Sequence, residues 1–324
     1  MARKLRLEYP GAVYHVSSRG HGGAAIFRRD AMKTAFLQCL ATSAEKAGWV
    51  VHAWCVLPDR YHVCLQTPQP NLVEGMHWLQ ASFAFRFNLD RRGRGPIFHG
   101  RYKAQPVAPE SVGAVCHSIV LKPVQSGMVK TGSLAKWPWT SVPALVDPSR
   151  RPVGFSPMAA LGDAGGLKDT AAGRKRYLAY LTTLQYNDAA KQKLQFVRME
   201  RGWVIGGRKF KQQLLTAHRR LGASIAKNPA GRRKIGQKVW ANRLATYLAA
   251  LKKTARDVRG DAKSAPWKVA VAATMKSGTT ASNLWISQRL NMGSPFRLGF
   301  MVSQCRSDPA TFQPYLYVLA RCQV

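Results

Sequence analysis

The sequence predicts an α+β protein in which an antiparallel sheet with helices is followed by a mainly α-helical, basic region. Strand-like and helix-like runs follow the order strand, helix, strand, strand, helix, strand, helix up to residue 121. Apolar residues make up 46% of the 324 residues, which is enough to bury a sizeable core. Beyond residue 190, apolar residues recur at helical spacing among many lysines and arginines.

Local signals define the individual elements. Strand segments alternate or are rich in β-branched and aromatic residues, and a Pro-Asp turn joins the second strand to the third. Gly48 is expected to end the first helix, and Asn71 to cap the second with its side chain. The predicted order is a strand at 9–20, a helix at 29–47, strands at 49–57 and 60–67, a helix at 71–89, a strand at 102–107 and a helix at 109–121.

The charge of the chain is strongly positive. Lys and Arg number 50 against 15 Asp and Glu, a net charge of +35. Residues 191–259 hold 19 of these cations but only Glu200 and Asp257 as acids. Such a balance excludes an ordinary acidic or neutral metabolic enzyme as the default and favours a polyanionic partner.

The same basic stretch contains apolar residues at helical spacing, so it is predicted to form amphipathic helices rather than a disordered tail. One face is expected to be apolar and buried, and the other cationic and available to phosphates. The apolar set is Trp203, Phe210, Leu214, Leu215, Leu221, Trp240, Leu244, Tyr247, Leu248 and Leu251.

Membrane and secreted classes are not expected. The strongest apolar run, residues 49–57, is far shorter than the roughly 18 residues that span a bilayer. The first residues carry positive charge but no apolar segment behind it, so they do not predict a secretory signal. The six cysteines show no CxxC pair, which favours buried thiols in a reducing cytoplasm.

The domain organisation is predicted from composition. A first domain is expected at residues 1–146, a Gly- and Pro-rich linker at 147–172 and a basic helical region at 173–324. Within that region, residues 266–304 predict a helix-turn-helix module. Its helices are expected at 266–275, 280–290 and 296–304, with a break at 276–278, a turn at 291–293, Ser294 as N-cap and Pro295 in the first turn. An ordinary three-helix bundle remains the alternative.

Several runs in the first domain resemble the REP-associated tyrosine transposases of the HUH single-tyrosine superfamily. They are YHVSSRG (14–20), IFRRD (26–30), WVVHAWCVLPDRYHVCLQTPQPNL (49–72), IFHGRYKA (97–104), IVLKPVQSGMV (119–129) and WPWTS (137–141). GWVIGGRKF (202–210) resembles the region that often follows this domain.

The resemblance implies a ferredoxin-like domain, single-stranded or hairpin DNA as the ligand, and a bacterial cytoplasm. In that family a Tyr hydroxyl attacks a DNA phosphodiester and becomes joined to the 5′ phosphate. Two His and an amide or acid from the Tyr helix hold Mg or Mn, which polarises the phosphate.

Most of these motif positions carry other residues here. His62 is kept, whereas Arg60 stands at the first His position, Ser118 at the Tyr position and Lys122 at the third ligand position. Arg has no lone pair for a metal, and Lys122 would have to lose its proton to bind one. We therefore expect impaired strand cleavage and no metal cofactor, with His62 as a residual ligand.

Two fixed cations in place of the metal can still hold a phosphate by charge-assisted hydrogen bonds. Histidines elsewhere in the sheet, His15 and His52, are expected to be packing residues. Tyr102 is expected to stack on a base, as in single-strand binders. The residues expected to contact DNA are Arg60, Arg91, Arg92, Arg94, Arg101, Tyr102, Lys103, Lys122 and Arg297.

Three other interpretations remain open at this point. The chain can be a decaying transposase relic, with Arg60 and Lys122 merely tolerated. It can be an active metal-dependent DNA strand transferase that uses another nucleophile such as Tyr61. It can also be a basic RNA-binding or ribosome-associated protein, which the composition alone permits.

Overall fold

The computed structural model describes residues 7–194, 196–199, 202–227, 231–279 and 281–322. Two positions of the predictions above lie outside the described part: the side chain of Leu221 and residue Thr280, the first residue of the helix expected at 280–290. The chain divides into two compact units, Met1–Gly222 and Ala223–Val324.

The first unit contains the sheet. Its strands are β1 (Ala12–Arg19), β2 (Val50–Val56), β3 (Arg60–Thr67) and β4 (Lys103–Val107). Its helices are α1 (Asp30–Ala47), α2 (Leu72–Asp90), α3 (Val112–Val120), α4 (Lys122–Gln125), α5 (Val142–Val146), α6 (Met158–Asp163), α7 (Ala171–Tyr186), α8 (Asp188–Lys193), α9 (Phe196–Met199) and α10 (Arg208–Lys227), the last ending in the second unit. Short 3-10 helices cover His21–Gly23, Pro109–Ser111, Thr131–Lys136 and Pro148–Arg150.

The four strands form one sheet in the order β2-β3-β1-β4, and every neighbouring pair is antiparallel. This is the strand order of the ferredoxin-like, split βαβ arrangement. The predicted α+β class is confirmed, and the predicted elements of this region fall within a few residues of the observed ones.

The sheet is covered on both faces. On one face, alternate residues of β1 and β3 (Tyr14, Val16, Tyr61 and Val63) pack with α1 and α2 in one core. On the other, Cys55, Cys64 and Val107 pack with α3 in a second core. A bulge between Val51 and Ala53 shifts the register of β2 against β3, so that Val51 lies in the first core and Ala53 in the second.

The C-terminal end of α1 and the N-terminal end of α2 are stabilised by different contacts. Gly48 has a left-handed conformation (φ 65°) and ends α1, as predicted. Asn71 occupies the N-cap position of α2, but its side chain makes no capping bond, so that prediction is wrong. Asn71 instead accepts a hydrogen bond from Trp49 Nε1 and donates one to Ala47 O, both at 2.8 Å, while Glu8 accepts from Val73 N at 2.8 Å.

Residues 147–172, expected to be a linker, are folded against the first unit. Val51 N donates to Gly154 O at 2.8 Å, and Ser156 N donates to Val51 O at 2.9 Å, so this segment lies along the free edge of β2. Arg151 binds Asp169 through two hydrogen bonds of 2.6 and 2.9 Å. The expected boundaries at 146 and 172 therefore do not coincide with the division after Gly222.

The second unit is helical, with its core centred on the fully buried middle of α13. Ser294 caps the helix Pro295–Ser307 through its side chain, and Pro295 follows in the first turn, as predicted. The expected break at 276–278 is wrong, because the helix Pro266–Gly278 continues through it. The helices are α11 (Gly231–Ala250), α12 (Ala255–Gly260), α13 (Pro266–Gly278), α14 (Asn283–Arg289), α15 (Pro295–Ser307) and α16 (Gln313–Ala320), with a 3-10 helix at Ala310–Phe312.

The apolar residues of the basic stretch are only partly buried. Leu214, Leu244 and Tyr247 lie in cores, as predicted. Trp203 and Leu215 are exposed, so the prediction that the whole set forms buried faces is wrong for these two. None of the described helices combines the length and apolar character needed to cross a bilayer.

Gly75 allows α2 to pack directly against the side chain of Trp49, which lies between α1 and β2. A Cβ at Gly75 would lie 2.2 Å from the ring of Trp49, which is fully buried. We expect Gly75→Ala to lower the free energy of unfolding by about 1–3 kcal/mol through overpacking, beyond any gain in helix propensity. Denaturant unfolding monitored by circular dichroism measures the change.

Gly162 in α6 is the matched control, because a Cβ there has nothing within 4 Å. Gly162→Ala should leave stability unchanged or raise it by up to about 1 kcal/mol. Equal stability of the two variants would contradict the packing role assigned to Gly75.

Candidate functional site

The sheet face that carries α3 also carries polar and basic residues in two adjacent rows. In the first row, Lys103, Ser17, His62 and Cys55 are successive cross-strand partners on β4, β1, β3 and β2. Cross-strand partners point to the same side of a sheet, so these four side chains share one face.

Next to this row lie the partners Gln105, His15, Cys64 and Ala53. At the open end of the face, Arg19 of β1 is directly opposite Arg60 of β3. Like charges in directly opposed positions repel each other. The register therefore concentrates positive charge at this end of the sheet.

Two buried imidazoles meet at the centre of this face. His15 Nε2 and His62 Nδ1 are 3.1 Å apart, and the two rings stack with centroids separated by 5.3 Å. One nitrogen of this contact donates a hydrogen and the other accepts it, so the contact requires a neutral ring on at least one side. His15, expected only to pack in the sheet, is thus a neighbour of His62.

Positive charge surrounds His62. Burial is the largest cause that lowers the pKa of His62 well below its usual value of 6.5. Electrostatic interactions with four neighbouring residues lower this pKa further: Lys122, His15, Arg60 and Lys103. His62 is therefore a neutral imidazole near pH 7.

The side chains of Arg60 and Lys122 differ in their exposure. Arg60 is exposed and forms a salt bridge with the neighbouring Asp59, with Nη2 2.8 Å from Oδ2. Lys122, the first residue of α4, is buried and acts electrostatically on both His62 and Cys55. Burial raises the pKa of the Cys55 thiol, against the opposing effect of Lys122.

Ser118 lies buried on α3, without a base provided by its neighbour in sequence. His117 is engaged on the far side of the helix, where its Nδ1 is 3.0 Å from the Tyr177 hydroxyl and its Nε2 is 3.0 Å from Asp163 Oδ2. These contacts use both ring nitrogens of His117 to tie α3 to α6 and α7. Adjacent helix residues do not face each other, as expected.

Three other residues considered in the sequence analysis, two tyrosines and a histidine, lie elsewhere. Tyr102 is buried in the core beneath α1 and α2, not on an exposed surface, because its position just before β4 turns it to that face. Tyr61 is fully buried in the same core, with its ring centroid 4.5 Å from that of Phe36. His52 lies beside the bulge of β2, where burial lowers its pKa.

The remaining expected DNA contacts are exposed. The Arg91 guanidinium makes a cation–π contact with the Phe87 ring. It also donates hydrogen bonds to Asn88 Oδ1 at 2.9 Å and to Arg94 O at 2.8 Å. Arg92 has a left-handed backbone with φ 50°, which turns the chain after α2. Arg92, Arg94 and Arg101 are exposed around this turn and before β4, and Arg297 is exposed on α15 of the second unit.

The donor set on this face does not fit Mg²⁺ or Mn²⁺. These ions favour oxygen ligands, whereas the groups at the expected ligand positions are a guanidinium, an ammonium and an imidazole. Within the described residues, no cluster of three or more His, Cys, Asp or Glu could hold a metal ion. What the face does offer is hydrogen-bond donors and positive charge, which suit anionic oxygens.

Burial of His62 makes stability pH-dependent in a defined direction. Its folded-state pKa is lowered, so the unfolded chain binds the extra proton and the stabilising effect is lost as pH falls below about 6.5. We expect the free energy of unfolding to fall below this pH, by up to about 1.4 kcal/mol per pH unit for each proton taken up. His62→Gln should reduce that slope.

Gln105→Asn, which alters a buried amide on the same face without removing a titrating group, should leave the slope unchanged. Denaturant unfolding at pH 5 to 8 measures both variants. An unchanged slope in His62→Gln would contradict the neutral imidazole.

Comparisons with known proteins find a distant similarity in fold. The solved structure of a REP-associated tyrosine transposase bound to a REP hairpin is similar to this chain with a TM-score of 0.38 and 14% sequence identity. The similarity covers 48% of this chain and 92% of that chain. No family model and no curated protein matches the chain. Any ligand proposed for this chain therefore has to be argued from its own residues.

Proposed function

We propose that this protein is a transposase-like DNA-binding protein that holds single-stranded or hairpin DNA at the α3 face of its sheet without cutting the strand. One observation carries the proposal. Two buried imidazoles in contact, His15 and the neutral His62, lie close to the cations of Lys122, Arg60 and Lys103.

A phosphate diester matches this arrangement chemically. It carries one negative charge on oxygens that accept hydrogen bonds from ammonium, guanidinium and imidazole N–H groups. Arg19 and Arg60 are cross-strand partners with exposed side chains, and Arg60, although paired with Asp59, is positioned with Arg19 to donate to a phosphate. The net charge of +35 adds a long-range attraction for a polyanion.

The absence of cutting follows from the residues at the reactive positions. Ser118 is buried and shorter than a Tyr, and His117 is occupied by Tyr177 and Asp163. A hydroxyl without a base and without a metal is a weak nucleophile toward a phosphodiester. Tyr61, the nucleophile of the alternative transferase, is buried on the opposite face.

The first experiment removes charge from the site. Arg60→Gln with Lys122→Met should weaken binding of a DNA hairpin by about 10-fold or more, because charge-assisted hydrogen bonds contribute about 1.5–3 kcal/mol each. Since Lys122 is buried, the exposed pair Arg19→Gln and Lys103→Gln provides a second test that spares the core. Fluorescence anisotropy at constant salt measures the affinities.

The control removes two cations from the other face, with Lys46→Gln in α1 and Arg86→Gln in α2. It should change affinity much less than either site pair. Wild-type affinity should fall about 10³–10⁵-fold between 50 and 200 mM salt if about 6–10 phosphates are contacted, and EDTA should not alter it. Equal losses in site and control variants would contradict the site, and tighter binding to RNA of the same sequence would favour the RNA-binding alternative.

Strand cleavage is tested separately. With Mg²⁺ or Mn²⁺, we expect no denaturant-resistant adduct between this protein and 5′-phosphate DNA, because the reactive hydroxyl and metal ligands are replaced. The triple variant Arg60→His, Ser118→Tyr and Lys122→Asn should make hairpin binding respond to metal. An adduct formed by the wild-type chain would overturn the non-cleaving assignment, and its loss in Tyr61→Phe would identify the alternative nucleophile.

A further inference from the structure

Two phenylalanines near the start of α15 are exposed to an unusual degree. The side chain of Phe296 is 90% exposed and that of Phe300 is 70% exposed. Phe is among the residues most often buried, and exposed apolar groups that cluster commonly mark binding surfaces. The two rings are four residues apart, so they lie on the same side of the helix about one turn from each other.

The helix that carries these rings is firmly anchored. Its opposite side is buried in the core of the second unit through Leu298, Met301, Val302 and Cys305. The Ser294 side chain caps its first turn, and Asn283 of α14 donates to Pro295 O at 3.3 Å. The exposed rings therefore extend from a rigid support, which reduces the entropy lost on binding.

The rest of the exposed face is polar and cationic. Arg297 lies between the two phenylalanines in sequence, and Ser303 and Gln304 continue the exposed side toward the C-terminal end. The helix contains no acidic residue, and residues 223–324 hold 17 Lys and Arg against three Asp and no Glu. A polyanion that also presents flat apolar surfaces is complementary to this combination.

We propose that the exposed face of α15 stacks its two phenylalanine rings on unpaired bases of a nucleic-acid strand, while Arg297 contacts the backbone. This inference rests on the proposed function and names the form of DNA that the second unit binds. Every base has a π-face, so aromatic rings on a cationic surface bind single strands with little sequence preference. The interaction surface is defined by Phe296, Arg297 and Phe300.

A paired duplex fits this face less well. Major-groove reading relies mainly on hydrogen bonds to base edges, which Phe cannot make, so a Phe ring could contribute there only an apolar contact with a thymine methyl. In a duplex the faces of the bases are covered by stacking, so the rings reach them only where bases are unpaired. Hairpin loops and single-stranded flanks expose such bases.

The test uses the full-length chain and two oligonucleotides of one sequence, a single strand with 2-aminopurine and the corresponding duplex. In Phe296→Ala with Phe300→Ala, single-strand affinity should fall about 5- to 150-fold for each ring removed, which corresponds to about 1–3 kcal/mol for each stacked base. Duplex affinity should change less than 2-fold. Wild type should quench 2-aminopurine fluorescence through stacking, and the variant should lose this quenching.

Replacement of both rings by Leu keeps apolar volume but removes the π-face, so it should reproduce the Ala phenotype. Tyr317→Ala is the matched control, since Tyr317 is an aromatic residue of the same unit with 58% exposure, and it should leave both affinities unchanged. Full binding by the Leu variant, or equal losses on single strand and duplex, would overturn the stacking assignment.

Failure of this inference is distinguishable from failure of the proposed function. If the wild-type chain binds DNA but the Ala variant binds single strands and quenches 2-aminopurine like wild type, the stacking surface is refuted while the site on the sheet stands. If the wild-type chain binds no DNA, both are refuted. A partner protein that binds wild type and not the Ala variant, with DNA binding unchanged, would assign the face to protein contact instead.

Discussion

The antiparallel pairing of β1 with β3 is the constraint on which the rest of this structure depends. These two strands form the centre of the sheet, and their register places Ser17 opposite His62 and Arg19 opposite Arg60. A shift of one residue would move every side chain of a strand to the other face. The same register that buries Tyr14 and its alternate neighbours against α1 and α2 therefore also brings the histidines and cations together on the opposite face.

The two faces of the sheet have different chemistry because they are covered differently. The face under α1 and α2 is filled by aromatic and aliphatic side chains, including the tightly packed rings of Phe27, Phe36, Tyr61 and Phe83. The other face is covered by α3 and keeps His15, His62, Gln105 and Lys122 buried beside apolar residues. Burial and the positive charge of the neighbouring Lys122 disfavour protonation of His62, so this imidazole stays neutral. Such an environment disfavours a bound metal cation.

Both units are rich in lysine and arginine, but the uncharged side chains beside these cations differ between the two units. In the first unit, cations lie around buried imidazoles on a sheet, which suits a phosphate held at close range. In the second, exposed phenylalanines lie beside Arg297 on an anchored helix, which suits the faces of unpaired bases. Phosphate contacts give affinity that depends on salt, whereas stacking depends on whether bases are unpaired. The two proposals thus assign phosphate contacts to the first unit and base stacking to the second.

The sequence by itself determined the elements whose signals are local. The strands and helices of the sheet, the end of α1 at Gly48 and the Ser294-Pro295 start of α15 all follow from residues adjacent along the chain. Tertiary structure alone decided the pairing of His15 with His62 and the opposition of Arg19 and Arg60, because both depend on strand register. It also decided that Asn71 binds Trp49 instead of capping α2, that Tyr102 is buried and that residues 154–156 pair with the edge of β2. In each case the deciding partner is distant in sequence, so the spacing of neighbouring residues carries no information about it.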